Sequence, residues 1–92
     1  NEAIRLKPDY ADAYYSRGVA RRQKGNLEGA IADYDEAIRL KPDYAEAYNN
    51  RGNSRSDQGN LEGAITDYNE AIRLKPDYAL ACNNRKIALR RL

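Results

Sequence analysis

Gly25–Tyr44 reads GNLEGAIADYDEAIRLKPDY, and Gly59–Tyr78 reads GNLEGAITDYNEAIRLKPDY. The two stretches start 34 residues apart and differ only at Ala32/Thr66 and Asp35/Asn69. Asn1–Tyr10 repeats Asn69–Tyr78 without a change. Self-similarity at a fixed period of this size marks an array of stacked units, each too small to bury its apolar face alone. Working outward, Ala11–Tyr44 and Ala45–Tyr78 share 24 of 34 residues, and the other eight differences fall in the first half of the unit. The chain divides into 1–10, the tail of a preceding repeat; two full repeats at 11–44 and 45–78; and 79–92, a terminal capping helix. Together these make one domain, 1–92.

Each repeat reads as two helices. Pro42 cannot continue a helix and restricts Lys41 before it. Asp43, followed three residues later by Glu46, is placed to cap a helix over 44–58 as a capping-box-like pair. Gly59 then ends that helix and Asn60 caps the next. In 61–74, Leu61, Ala64, Ile65, Tyr68, Ala71 and Ile72 recur at helical spacing on one face. The connection is short enough to impose an antiparallel hairpin.

Composition excludes several functions. The net charge of +2 from 16 basic and 14 acidic residues gives no general attraction to nucleic acid or membrane. There is no His, and Cys82 is the single Cys. The usual zinc, haem and Cys-His combinations are therefore absent, and no cofactor is expected. No apolar run is long enough to span a membrane. One Cys is compatible with a reducing compartment, and the expected location is the cytoplasm. Leu, Ile and Val number only 15, so the 14 Ala and eight Tyr must supply the apolar mass, a pairing that suits closely packed helices. Carboxylates are present, but none falls in an evident pocket, so no enzyme activity and no catalytic or metal-binding residues are expected. The first residue is Asn1 and the sequence has no Met, which reads as a piece of something longer.

These motifs closely resemble the tetratricopeptide repeat, a helix-turn-helix unit of 34 residues. The family's large aromatic falls on Tyr14 and Tyr48, and its close-contact Gly on Gly18 and Gly52. Its second-helix Ala falls on Ala30 and Ala64, its second aromatic on Tyr34 and Tyr68, its later Ala on Ala37 and Ala71, and its Pro on Pro42 and Pro76. Asn50-Arg51-Gly52 and the near-identical copies resemble a bacterial-type or consensus-like array. Two positions depart from the pattern: Arg17 and Arg51 replace the usual Leu, and Arg21 and Arg55 the usual Tyr. The first departure has two readings: predicted ion pairs Arg17–Asp33 and Arg51–Asp67, or packed Arg stems whose heads simply sit in water. In the last segment Cys82 and Lys86 replace the aromatic and the Gly, which suits a terminal helix with Leu80, Ile87 and Leu89 packing on the last repeat.

The resemblance implies an all-α, right-handed solenoid whose first helices line a concave groove that binds an extended peptide or a partner helix. By family position, the groove residues are Asp12, Tyr15, Val19, Arg22 and Gln23 in the first repeat, Glu46, Asn49, Asn53, Ser56 and Asp57 in the second, and Leu80, Asn83, Ile87, Arg90 and Arg91 in the last helix, with Asn50 and Asn84 on the inner wall. Asn side chains donate and accept, so a ladder of them can hold a peptide backbone whatever its side chains. The family's carboxylate clamp is incomplete here: Asn53 and Asn84 match it, but Asn49 and Leu80 stand at its Lys positions. Three function classes remain. The first is a protein-interaction scaffold. The second is a structural or engineered array with no native ligand, associating weakly head to tail through Ala3, Ile4 and Leu6 at one end and Ala81, Cys82, Ala88 and Leu89 at the other. The third is single-stranded RNA binding, which the acids Asp12, Glu46 and Asp57 disfavour. The basic run Arg85–Leu92 reads mainly as favourable placement of cations at a helix C-terminus and as solubility of an end cap, with a basic patch for acidic peptide, phosphate or RNA as the alternative.

Overall fold

The computed structural model describes residues 10–92. Five α-helices follow one another: α1 Tyr10–Gln23, α2 Leu27–Leu40, α3 Ala45–Asp57, α4 Leu61–Leu74 and α5 Ala79–Arg91. α1 packs on α2 and α3 on α4 as hairpins, the hairpins stack through α2 and α3, and α5 packs on α4. The result is an all-α tetratricopeptide-type solenoid.

The turn inside each hairpin is fixed by two residues. Gly59 has φ 86°, a conformation that costs a residue with a Cβ but not glycine. Gly59 N–H donates to Ser56 O and Asn60 N–H to Arg55 O, which closes the end of α3. The Asn60 side chain then accepts from Gly63 N–H at 3.0 Å and caps α4. Gly25 (φ 85°) and Asn26 do the same between α1 and α2.

The start of α3 corrects the expected capping box. Tyr44 N–H donates to Lys41 O across Pro42-Asp43, so this turn places Tyr44, not Asp43, at the cap, with no side-chain bond to the helix. Glu46 instead pairs with Lys75 at 3.3 Å. The corresponding Asp9 lies outside the described residues.

Close approach decides the hairpin core. A Cβ on Gly52 would sit 2.7 Å from Tyr68 Cε1, and one on Gly18 would sit 2.7 Å from Tyr34 Cε1. The bare glycine lets each ring lie flat against the first helix, where Tyr34 and Tyr68 are buried. Burying such a ring contributes on the order of 2 kcal/mol. Ala11, Ala37, Tyr44 and Ala47 form one buried cluster, and Ala64, Tyr68 and Ala88 another. Thus α5 is held by Ala81 and Ala88, both buried. Leu80, Ile87 and Leu89, expected to make that contact, are about half exposed instead. The small residues allow the helices to approach closely, and this turns the larger side chains away.

Both predicted ion pairs form, and each carboxylate takes a second arginine. Arg17 Nε and Nη2 donate to Asp33 at 3.0 and 2.8 Å, and Arg21 approaches it at 3.3 Å. Arg51 donates to Asp67 at 3.1 and 2.8 Å, and Arg55 at 2.9 Å. Asp33 and Asp67 are buried, so each needs these charged donors. The remaining Arg51 nitrogen reaches Asp35 of the preceding hairpin at 2.8 Å. Burial opposes the Arg51 charge, but its bonds to Asp67 and Asp35 outweigh that and raise its pKa.

Candidate functional site

The first helices of successive hairpins touch directly. Polar side chains on α1, on α3 with its cap residue, and on α5 cross-link them in a row. Tyr44 O–H donates to Asp12 at 2.6 Å, and Asn50 Nδ2 donates to the Tyr15 hydroxyl at 2.8 Å. Arg22 Nε donates to Asp57 at 2.7 Å, and Asn84 Nδ2 donates to Asn49 Oδ1 at 3.1 Å. Each of these bonds joins α3 or its cap residue Tyr44 to α1 or α5. Along this face, much of the hydrogen-bonding capacity serves stacking.

That finding relocates several expected contacts. Asn49 is fully buried, so it lies beneath the face and not on it. The cause is α5, whose Asn84 covers it. The Asn49 amide nitrogen has no partner in hydrogen-bond geometry, yet it lies close enough to the Tyr78 hydroxyl to oppose burial's upward push on that phenol. Asn50 is half-buried, and its second N–H donates to Glu46 O at 3.0 Å, so both its donors are occupied. The expected amide ladder is therefore an inter-repeat device in Asn50 and Asn84. Asn53 is half-buried and accepts from Tyr68 O–H at 2.6 Å, which leaves its amide nitrogen open.

Tyr15 is half-buried. It packs against Tyr44 at 5.1 Å and Tyr34 at 6.0 Å between centroids. Burial raises the Tyr15 phenol, with Glu46 adding to the rise. Tyr44 is raised strongly by burial and by its bond to Asp12. Asp12 and Asp57 remain exposed, while Val19, Arg22 and Glu46 are intermediate. Asn83 and Ile87 are exposed on α5. Sequence reasoning missed Arg21, Arg55 and Lys75 as members of these networks. Arg21 and Arg55 are marked only as departures from the family's Tyr, and Lys75 only as the repeat of Lys41.

Among the described residues no cluster of three or more His, Cys, Asp or Glu could hold a metal ion, and no helix is long and apolar enough to cross a membrane. The N-terminal half of the head-to-tail contact, Ala3, Ile4 and Leu6, lies outside the described residues. Of its other half, Ala81 and Ala88 are buried and so are not uncovered.

Comparison with known proteins agrees with this architecture. A family model described as TPR repeat matches residues 18–56, and one described as tetratricopeptide repeat matches residues 45–78. A search of curated protein sequences returns no match. Among solved structures, two crystal structures of MamA superpose with TM-score 0.86 at 30% identity over 95% of this chain. The chain spans 51% and 48% of those two chains, about half their length. The first TPR of Spaghetti (RPAP3), bound to the HSP90 peptide SRMEEVD, superposes with TM-score 0.86 at 25% identity, over 97% of this chain and 71% of that one. The repeated glycine–tyrosine contacts, the stacked hairpins and both family matches agree: the chain belongs to the tetratricopeptide repeat family.

Proposed function

We propose that the face built from α1, α3 and α5 is a protein-interaction groove that takes an extended peptide or a partner helix. The observation that carries the reading is where the two full repeats diverge. Eight of their ten differences lie in residues 11–24 against 45–58, the segments that supply this face, while the second helices are nearly identical. The peptide held by the RPAP3 repeat domain supports the same use of a fold this similar. Two full repeats offer a short surface, and exposed polar contacts add little net energy. The expected affinity is micromolar or weaker, on the order of −8 kcal/mol at best.

A peptide array followed by amide-shift mapping tests the reading. Peptides selected by the chain should move the amides of Val19, Asn53 and Asp57. Asn53→Val, which copies Val19 of the first repeat, should weaken them. Thr66→Ala, which copies Ala32 on the second helix, should not. Shifts confined to α2 and α4, or equal losses in both variants, would remove the groove from consideration.

A further inference from the structure

The groove face carries ion pairs, amides and an exposed stripe on α5. Its ions along α1 and α3 already have partners within the chain: Arg22 holds Asp57, Lys75 holds Glu46, and the Tyr44 hydroxyl holds Asp12. Of its amides, Asn50 is occupied by Tyr15 and by Glu46 O of its own helix, and Asn84 by Asn49. The stripe on α5 differs. Leu80 and Ile87 are 56% and 48% exposed and lie two helical turns apart on one side, about 10 Å along the axis. Arg90 and Arg91 follow within the next turn, both exposed, and neither forms an ion pair among the described residues. Arg91 also borders a shallow depression with Gly59, Asn60, Leu61, Glu62 and Leu92. Glu62 shares that depression without pairing with Arg91.

We infer that this α5 stripe sets ligand preference within the proposed groove. Its occupant is an acidic peptide segment that lays an apolar side chain on Leu80 and Ile87 and directs a carboxylate to Arg90 and Arg91. The inference rests on the groove reading above and adds the chemical class of its ligand. Charge complementarity selects the occupant, since the unpaired charges on this stripe are cationic and sit beside its exposed apolar side chains. The spacing narrows it further. Ile87 and Arg91 are about 6 Å apart along the helix, and an extended chain advances about 3.3 Å per residue, so apolar and acidic residues should stand about two positions apart.

The test uses three labelled octapeptides. The first carries one leucine and two glutamates beginning two positions after it, in a glycine-serine background. The second replaces both glutamates with lysine, and the third replaces the leucine with serine. Anisotropy titrations at low and high salt are combined with amide-shift mapping. The acidic peptide should bind about fivefold more tightly than either control, as expected of two exposed charge contacts and one apolar contact, and its advantage over the lysine peptide should shrink with salt. Its shifts should centre on 80–92. Arg90→Gln/Arg91→Gln and Ile87→Ser should each remove the preference, while Leu89→Ser, on the opposite side of α5, should keep it. All variants are surface changes, and circular dichroism checks their fold.

Equal binding of acidic and basic peptides would overturn the inference, as would binding by none of the three. Shifts on α1 and α3 alone would overturn it while leaving the groove reading standing. Shifts on the second helices alone would end both. Concentration-dependent shifts of the α5 amides without peptide would assign the stripe to a second copy of the chain and overturn it as well.

Discussion

Val19 and Asn53 occupy the same position in successive repeats, and the difference decides whether a buried hydroxyl has a partner. Tyr68 O–H donates to Asn53 Oδ1. Tyr34 is equally buried, but its hydroxyl has no partner, because Val19 offers no acceptor. Leaving such a group unpaired costs about 1–3 kcal/mol, while a made bond contributes about 1 kcal/mol. Val and Asn have similar helix propensities, so the exchange is close to neutral in the backbone. Val19→Asn should therefore stabilise the fold by about 1 kcal/mol, read as a higher urea midpoint at unchanged slope. A lower midpoint would show that the loss of Val packing outweighs the new bond. The same phenols also predict an alkaline limit. Burial pushes Tyr34, Tyr68 and Tyr78 up to about 12. Their folded values lie above the unfolded value near 10, so the unfolded chain loses its protons first. Stability is then fully present below pH 10 and falls as the pH rises toward 12. Thermal melts from pH 8 to 11.5, alongside tyrosine absorbance, should show a flat region followed by a decline that starts near pH 10.

At the scale of the helix, the hairpin was largely legible because its punctuation is local. Gly59 and Asn60 declare the turn by their own chemistry, and the α4 bounds follow from Asn60 before it and Pro76 after it. The start of α3 was misread for an equally physical reason. The Pro42-Asp43 turn closes on Tyr44, so the cap falls one residue later than the residue type suggests. Lateral contacts were harder to read. The Arg17–Asp33 and Arg51–Asp67 pairs followed from a charge beside the hairpin core. The second arginine on each carboxylate, and the burial of Asn49 under Asn84, depend on how neighbouring helices are rotated, which periodicity does not report. The two-arginine clusters should be the ionic elements whose loss the fold feels most. Asp67→Ala removes the carboxylate that Arg51 and Arg55 share and should cost about 3 kcal/mol. Adding Arg51→Leu, the residue type usual in the family at this position, should recover part of the loss, because an apolar side chain of similar reach replaces a cation left short of partners. Chemical denaturation of the single and double variants checks this. A double variant no more stable than Asp67→Ala alone would mean that Asp35 already satisfies Arg51.

Across the whole molecule, the two junctions between repeats are built on one plan with unequal strength. Arg51 reaches back to Asp35 at 2.8 Å, and Arg85 reaches back to Asn69 at 2.9 Å from the equivalent position. The first contact is an ion pair and the second is a hydrogen bond to a neutral amide. Among the described residues, α5 packs on α4 with a lesser contact to α3. In a stacked array each unit is stabilised by its neighbours, so stability should fall toward such an element, and it should open below the global unfolding free energy. Native-state hydrogen exchange should accordingly show α5 amides exchanging faster than those of α3 and α4. Asn69→Asp would restore at the second junction the pair present at the first. For an exposed contact the gain should be small, about 0.2–1 kcal/mol, and weaker at high salt. It should appear as slower exchange within 79–91, with little change in α1 and α2, because the added contact bears on the last junction alone. Uniform slowing along the chain would instead show that α5 opens together with the rest of the array, as one cooperative unit.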